Sequence, residues 1–472
     1  MRSRHITTIA IVGAGFAGSL LAVRLAGVPG VTPVLVEKSQ DAGPGLAYGA
    51  AGPMHVLNVT VQRMEVGLSP SFQDWLGAYS SETAEAAAEA GDLAQAFVPR
   101  RLFGQYMAER VGEAVAAGKI RRVRGEVTAI RAEAGVFTLT LADGRTLEAD
   151  DVVLATGHLP PRPISVRSRH GDELQDSHAF VPDPWTPGAL ASIGRDQAVL
   201  LIGSGLTAVD VALSLQARGH AGAVHLLSRR GLLPRLHLAG GEWPPFLGAK
   251  AGHSPLRLLR ILRDQVVAAQ RRGVPWQRVM DAARPDIARI WCAWDEKARA
   301  RFLRHGRSVW DVHRHRMPQR VAHRLIALME AAQLRIHGGR LTSYEVAAGR
   351  LWLTLQLRGS REARRIGVDH VINCTGPGGN FADTQLPLFA DLRRQGLIQP
   401  DQRHLGIATL DTEVIDAAGK PVDGLHALGS LTRPALWEIT AVPDIAAQVS
   451  RLVARLVGPK PSDDRSVVSS LD

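Results

Sequence analysis

A chain of 472 residues is too long for one ordinary hydrophobic core, so two or three domains are expected. Its 45% hydrophobic and 21% charged residues exclude a disordered or fibrous chain and indicate a globular one. The formal charge of +11 is mostly arginine, but no run of bases is interleaved with aromatics, which argues against a nucleic-acid partner.

The chain opens with an apolar run, Ile9–Val12, that empties into Gly13-Ala14-Gly15-Phe16-Ala17-Gly18 and then the helical stretch Ser19–Leu25. This is the pattern of a strand, a tight turn and a helix whose first free N–H groups face a diphosphate. Gly13 permits the turn, Gly15 lets backbone approach the ligand, and Gly18 lets helix and strand pack closely. A second strand, Pro33–Val36, ends on Glu37, where a carboxylate can hold the ribose hydroxyls of an adenosine. Arg2 and Arg4 ahead of an apolar segment mimic a secretory signal, but the glycines break that segment. No other stretch is long and apolar enough to span a bilayer, and a cytoplasmic location is expected.

A glycine-rich loop, Asp41–Gly49, and the segment His55-Val56-Leu57-Asn58-Val59 follow. Thr83–Gly91 predicts an Ala/Glu-rich helix with no chemistry on it. Phe97–Phe103 opens another helix, with Pro99 near its first turn and Arg100 and Arg101 placed to face an anion. Gly125–Ile130, Val136–Leu141, a turn at Asp143-Gly144 and Thr146–Glu148 predict a β-meander. It leads into a buried strand, Asp151–Ala155, that ends at Thr156-Gly157.

The opening pattern then recurs. Val199–Ile202, Gly203-Ser204-Gly205 and Leu206–Asp210 form a second strand, glycine turn and helix. The second strand of this unit, Ala223–Leu227, ends on Ser228-Arg229-Arg230-Gly231. Where the first unit offers Glu37, which would repel a ribose 2′-phosphate, this one offers two guanidiniums that would bind it. From about Ser254 to Leu334 the texture is helical and arginine-rich, with Pro255 and Pro275 marking helix starts. Within it, the run His313-Arg314-His315-Arg316 offers cations to an acidic substrate or a coenzyme phosphate, or simply forms a solvated face. β-type texture returns at Tyr344–Val346 and Leu351–Leu355, and a buried strand, His370–Asn373, ends at Cys374-Thr375-Gly376. Gly424–Gly429 reads as a strand and Ser430–Val442 as a loop. Pro443 stands near the first turn of a closing amphipathic helix that runs to about Leu456. The tail from Pro459 is polar and expected to be disordered.

The two cysteines, Cys292 and Cys374, form no CxxC pair. That excludes a disulfide framework and a thiolate metal site, and no metal is expected.

Taken together, these motifs resemble flavoproteins with two dinucleotide-binding folds. Among them the chain is most similar to a bacterial FAD/NAD(P)-binding protein family related to class B flavin monooxygenases. The matching stretches are Gly13–Gly18, His55–Val59, Phe97–Arg100, Asp183-Pro184-Trp185, Gly203–Thr207, Leu227–Gly231, Val312–Pro318 and Leu436–Pro443. Pro434 departs from the pattern, standing where a glycine is expected beside the flavin. The resemblance implies an α/β fold of two Rossmann-like domains, an NADPH domain inserted into a split FAD domain, with an extra helical insertion. The expected boundaries are 1–190 for the first part of the FAD domain and 191–340 for the NADPH domain, including the insertion at about 254–334. The second part of the FAD domain is expected at 341–458, with a disordered tail at 459–472.

The implied cofactors are FAD and NADPH. The implied cofactor-binding residues are Gly13, Gly15, Phe16, Ala17, Gly18, Glu37, Lys38, Arg100, Val127, Thr156 and Gly157 in the first unit. Gly203, Gly205, Leu206, Thr207, Arg229 and Arg230 serve the second, and Gly429, Trp437 and Val442 the return segment. The first N–H groups of the closing helix would face the flavin's pyrimidine edge. His55 and Asn58 are the catalytic candidates, since the Asn58 amide offers both donor and acceptor; a loop-fixing asparagine is the plain alternative. Without a cysteine pair, electrons have no route to a protein disulfide. The kinship then favours oxygenation of a small polar substrate by O2 through a flavin hydroperoxide, at nitrogen or at a carbonyl. The alternatives are a reductase serving a quinone or redox protein, and a non-catalytic NADPH sensor.

Overall fold

A computed structural model describes residues 6–168, 170–248 and 254–458. The expected disordered tail at 459–472 and the arginines of the N-terminus lie outside the described residues. The strands of the first half, in chain order, are β1 (Thr7–Val12), β2 (Val31–Glu37), β3 (Arg121–Arg124), β4 (Val127–Glu133), β5 (Val136–Leu141), β6 (Thr146–Ala149), β7 (Asp151–Leu154) and β8 (Phe180–Val181). Those of the second are β9 (Val199–Ile202), β10 (Val224–Ser228), β11 (Leu334–Ala347), β12 (Arg350–Leu357), β13 (Ala363–Val368), β14 (His370–Asn373), β15 (Thr409–Leu410), β16 (Glu413–Ile415) and β17 (Pro421–Ala427).

They form two seven-stranded sheets and a three-stranded meander. The first sheet runs β15-β16-β17-β7-β1-β2-β3, the second β13-β12-β11-β10-β9-β14-β8, and the meander is β4-β5-β6. In the first sheet β1 lies between β2 and β7, parallel to both. Its side chains alternate between two cores. Ile9 and Ile11 face the helices Phe16–Leu25, Arg100–Ala116 and Val442–Val457, while Ala10 and Val12 face the meander. A strand covered on both faces must be apolar throughout, which is why Ile9–Val12 shows no alternation in sequence. Burying Ile9 or Ile11 completely contributes roughly 1.5–3 kcal/mol each. β9 repeats this arrangement between β10 and β14, with Val199 and Leu201 on one face and Leu200 on the other.

Two boundaries differ from expectation. β8, expected in the first part of the FAD domain, and the end of β11 with β12 to β14, expected in its second part, instead complete the second sheet. β11 pairs in parallel with β10, β12 and β13 extend it antiparallel, and β14 pairs with β9. The second domain thus begins at β8 and closes at β14. After β14 the chain returns to the first domain: the helix Pro387–Arg394 packs on the meander, β15–β17 join the first sheet, and the closing helix covers its other face.

The helical insertion leaves β10 and rejoins at β11. Ser254 caps its first helix, Pro255–Arg271, by accepting from the Arg257 N–H, and Pro275 caps the next, Trp276–Ala283. Its aromatic core of Trp291, Trp294, Phe302 and Trp310 also takes in Leu405 and Trp437, which ties the insertion to the return segment.

Candidate cofactor and substrate cleft

The two glycine turns are built by the same contact. Gly13 (φ 104°) and Gly203 (φ 124°) hold backbone conformations that side chains disfavour. A Cβ on Gly13 would stand 2.6 Å from the Ala155 carbonyl oxygen, and one on Gly203 would overlap the Cys374 carbonyl oxygen. Each turn is therefore pressed onto the end of the parallel strand beside it, β7 in one unit and β14 in the other. A Cβ on Gly18 would overlap the Gly13 carbonyl oxygen, so this glycine sets the helix–strand approach. Gly15 and Gly205 cap the helices Phe16–Leu25 and Leu206–Ala217 in ordinary extended conformations. Beyond them lies open space. A Cβ on Gly15 meets only Gly45 Cα, at 3.7 Å, and one on Gly205 meets nothing within 4 Å. This is the shape that a diphosphate on helix N–H groups requires.

Glu37, at the end of β2, holds the first turn in place. Its Oε2 accepts from the Ala14 N–H at 2.7 Å, and its Oε1 accepts from the Ser39 N–H and hydroxyl at 2.9 Å. Unused lone pairs remain for ribose hydroxyls. Lys38 reaches Glu126 at 3.6 Å on the exposed surface.

Both units open onto one cleft of about 630 Å³. Gly13, Glu37, Lys38, Val127, Thr156 and Gly157 line it from the first unit, Leu206, Thr207 and Asp210 from the second, and Thr440, Ala441 and Val442 from the N-terminal end of the closing helix. Asn58 also lines the cleft. Its main-chain oxygen accepts from His237 Nε2 at 2.9 Å, and its side-chain amide has no partner among the described residues. Arg100 spans the two units: Nη1 lies 3.1 Å from Asp210 Oδ2, and Nη2 donates to the Val56 carbonyl at 3.3 Å.

The other predicted residues lie apart from the cleft wall. His55 is buried. Its Nδ1 accepts from the Gly52 N–H at 3.0 Å, and its Nε2 faces Ser214 Oγ at 2.7 Å and the Asp210 carbonyl at 3.1 Å. With both nitrogens engaged it joins the two domains, and it leaves no nitrogen free for catalysis. Trp437 stacks on Trp291 at 5.0 Å inside the insertion core. Gly429 is buried, its N–H held by Gln448 Oε1 at 2.9 Å. Phe16 packs against Tyr48 and Phe103, and its neighbour Ala17 is the nearest atom to a Cβ built on Gly429, at 3.7 Å. Beyond β10, Ser228 Oγ accepts from Ser204 Oγ and from the Gly231 N–H, fixing the turn. Arg229 is exposed with no partner among the described residues, whereas Arg230 donates to the His305 carbonyl at 2.8 Å. Pro434 offers its carbonyl to Trp291 Nε1 at 2.8 Å.

Three cleft residues stand out that sequence reading left undecided or unnamed. Asp210 is an acid in the otherwise apolar face of Leu206–Ala217, which was its sequence signal. Arg314 and His315, from the His313–Arg316 run, also line the cleft. Arg314 Nε donates to Glu438 Oε2 at 2.6 Å, and Trp310 Nε1 donates to Oε1 at 2.7 Å. Burial alone would raise the Glu438 carboxyl, but Arg314, His315 and these hydrogen bonds prevail and hold it below its usual range. His158 lines the cleft with its surface open to it; the surrounding protein and then Arg433 push it down to about 4, so it is neutral at pH 7. Burial likewise lowers His315. Cys374 is buried and Cys292 exposed, and both are free. Among the described residues there is no metal-ligating cluster and no helix long and apolar enough to cross a membrane.

Residues 10–159 match a family model described as FAD-NAD(P)-binding. No curated protein matches the chain. Among solved structures, the ornithine N-hydroxylase of Kutzneria sp. 744, bound to reduced FAD, NADP+ and L-ornithine, is similar at 17% identity and a TM-score of 0.63, over 95% of this chain and 98% of that one. The FAD-bound cadaverine monooxygenase of Erwinia amylovora is similar at 13% identity and 0.64, over 98% and 99%. The L-lysine 6-monooxygenase of Pseudomonas syringae is similar at 17% and 0.64, over 96% and 99%. Residues 10–159 thus match an FAD-NAD(P)-binding model, and the chain as a whole shares the fold of these three structures.

Proposed function

We propose that this protein is an FAD- and NADPH-dependent monooxygenase of a small polar substrate, with an amine nitrogen favoured over a carbonyl. The observation that carries the reading is that one cleft is lined both by Gly13 of the first glycine turn and by Leu206 and Thr207, which open the helix after the second, so it has room for two dinucleotides to meet. Held there, FAD would take hydride from NADPH and supply two-electron activation of O2, one oxygen atom entering the substrate and the other leaving as water.

The chain's own residues bind and orient. The first N–H groups of Phe16–Leu25 take one diphosphate and those of Leu206–Ala217 the other. Glu37 takes the ribose of FAD, and Arg229 takes the 2′-phosphate of NADPH. The positive end of Val442–Val457 faces the cleft and favours negative charge there. Asn58 presents an unpaired amide to the substrate, and neutral His158 offers one acceptor nitrogen for a proton. The absence of a cysteine pair separates the chain from disulfide reduction, a chemistry represented on the same fold by the thioredoxin reductase of Lactococcus lactis.

The test supplies FAD-loaded protein with NADPH, ¹⁸O₂ and a panel of small amines, and reads ¹⁸O in the product by mass spectrometry. Label in an N-hydroxylated product is expected. NADPH oxidation that proceeds without oxygen when a quinone is present, with no labelled product in air, would replace this reading with the reductase.

A further inference from the structure

We infer that Arg314, on the cleft wall, forms a subsite for the carboxylate of the organic substrate; this rests on the monooxygenase reading for the word substrate. Arg314 is 9% exposed, lines the cleft, and is fixed through one nitrogen alone, Nε to Glu438. Its Nη2 is buried without a hydrogen bond and stands 4.0 Å from Asp444 Oδ2, and its Nη1 has no partner among the described residues. A guanidinium kept this far from water normally uses its fork on an acid.

Neither neighbouring acid fills that role. The second oxygen of Glu438 is taken by Trp310, and Asp444 is paired with Arg284 Nη2 at 2.5 Å. The surrounding network joins Arg63, Arg278, Arg284, Arg314 and Arg316 to three carboxylates, Asp281, Glu438 and Asp444. Arginines outnumber acids there, so the wall keeps a positive excess that an incoming anion can neutralise.

In the proposed arrangement the diphosphates take the helix ends at Gly15 and Gly205 and the 2′-phosphate takes the β10 turn, so neither needs Arg314. A carboxylate on the molecule to be oxidised suits its free fork. Asn58 lines the same cleft with an unpaired amide that can donate to or accept from another part of that molecule. An amino acid or other small amine with a carboxylate thus fits better than a plain diamine.

The experiment titrates oxidised, FAD-loaded protein by calorimetry with three probes: L-lysine, cadaverine, which lacks the carboxylate, and pentanoate, which lacks the amine. It uses the wild type, Arg314→Lys, which keeps the charge but loses the fork, and the double variant Arg314→Met/Glu438→Gln, which removes the pair without stranding a buried carboxylate. L-Lysine and pentanoate should each bind more tightly than cadaverine. Both variants should weaken the two carboxylates by about 10- to 100-fold, the loss of one charge-assisted hydrogen bond, and leave cadaverine unchanged. Equal affinity for all three probes in the wild type would overturn the subsite. So would variants that shift the flavin midpoint potential while carboxylate affinity stays constant, since Arg314 would then serve the cofactor. Because the readout is binding, carboxylate selectivity without ¹⁸O incorporation would leave the subsite standing and fail only the monooxygenase reading.

Discussion

Gly15 and Gly18 stand three residues apart in one turn, yet the structure predicts opposite consequences for replacing them. A valine at Gly15 adopts φ −71° and ψ −175° without strain, and its Cβ meets only Gly45 Cα at 3.7 Å. The fold should tolerate it. Its methyl groups, however, would occupy the open space in front of the helix N–H groups. Each charge-assisted hydrogen bond lost there costs about 1.5–3 kcal/mol, or roughly 10- to 100-fold in FAD affinity. An alanine at Gly18 would instead overlap the Gly13 carbonyl oxygen, backbone that cannot swing aside. Overpacking of this kind costs about 1–3 kcal/mol or more, a few degrees of melting temperature at about 2–4 °C per kcal/mol. The assay is flavin absorbance per chain together with thermal melting of the FAD-free protein. Gly15→Val should be colourless with a nearly unchanged FAD-free melt, and Gly18→Ala should melt lower even without FAD. Gly15→Val that retains full flavin would refute the placement of the diphosphate, and equal melting losses for the two would refute the packing argument.

Arg229→Ala should lower kcat/KM for NADPH by about 10- to 100-fold and leave NADH nearly unchanged, while Arg230→Ala, whose side chain is already engaged by His305, should do less; steady-state kinetics with both coenzymes decides. Cys292→Ser/Cys374→Ser should keep NADPH oxidation within a few-fold, and loss of flavin reduction in that variant would restore a thiol route. Burial and nearby cations hold His225 and His237 down to about 4, so the unfolded chain binds more protons between about 6.5 and 4. Stability should therefore be full above about pH 6.5 and fall as pH drops toward 4. His237→Gln should flatten part of that slope in melts taken across the range.

The amino-acid sequence by itself determined the two strand–turn–helix units, the acid at one β2-type end against arginines at the other, the meander and the closing helix. These are local: glycine spacing, an apolar run covered on both faces, and a proline in a helix's first turn act within a few residues. Partner choice was decided only by tertiary structure. β14 has the same buried texture as β7, and nothing in His370–Asn373 says which sheet it will join; that follows from its register with β9 and from the Gly203 turn pressed against Cys374. Side-chain direction was equally hidden. His55 and Asn58 are three residues apart, but one ring is turned into the domain junction and the other amide into the cleft. Trp437 faces the insertion because Trp291 and Phe302, from residues more than a hundred positions earlier, arrive there to cover it. Arg314 acquires its meaning in the same way, since a base in a basic helix becomes a binding group only when distant residues bury it beside a cleft and leave its fork unpaired.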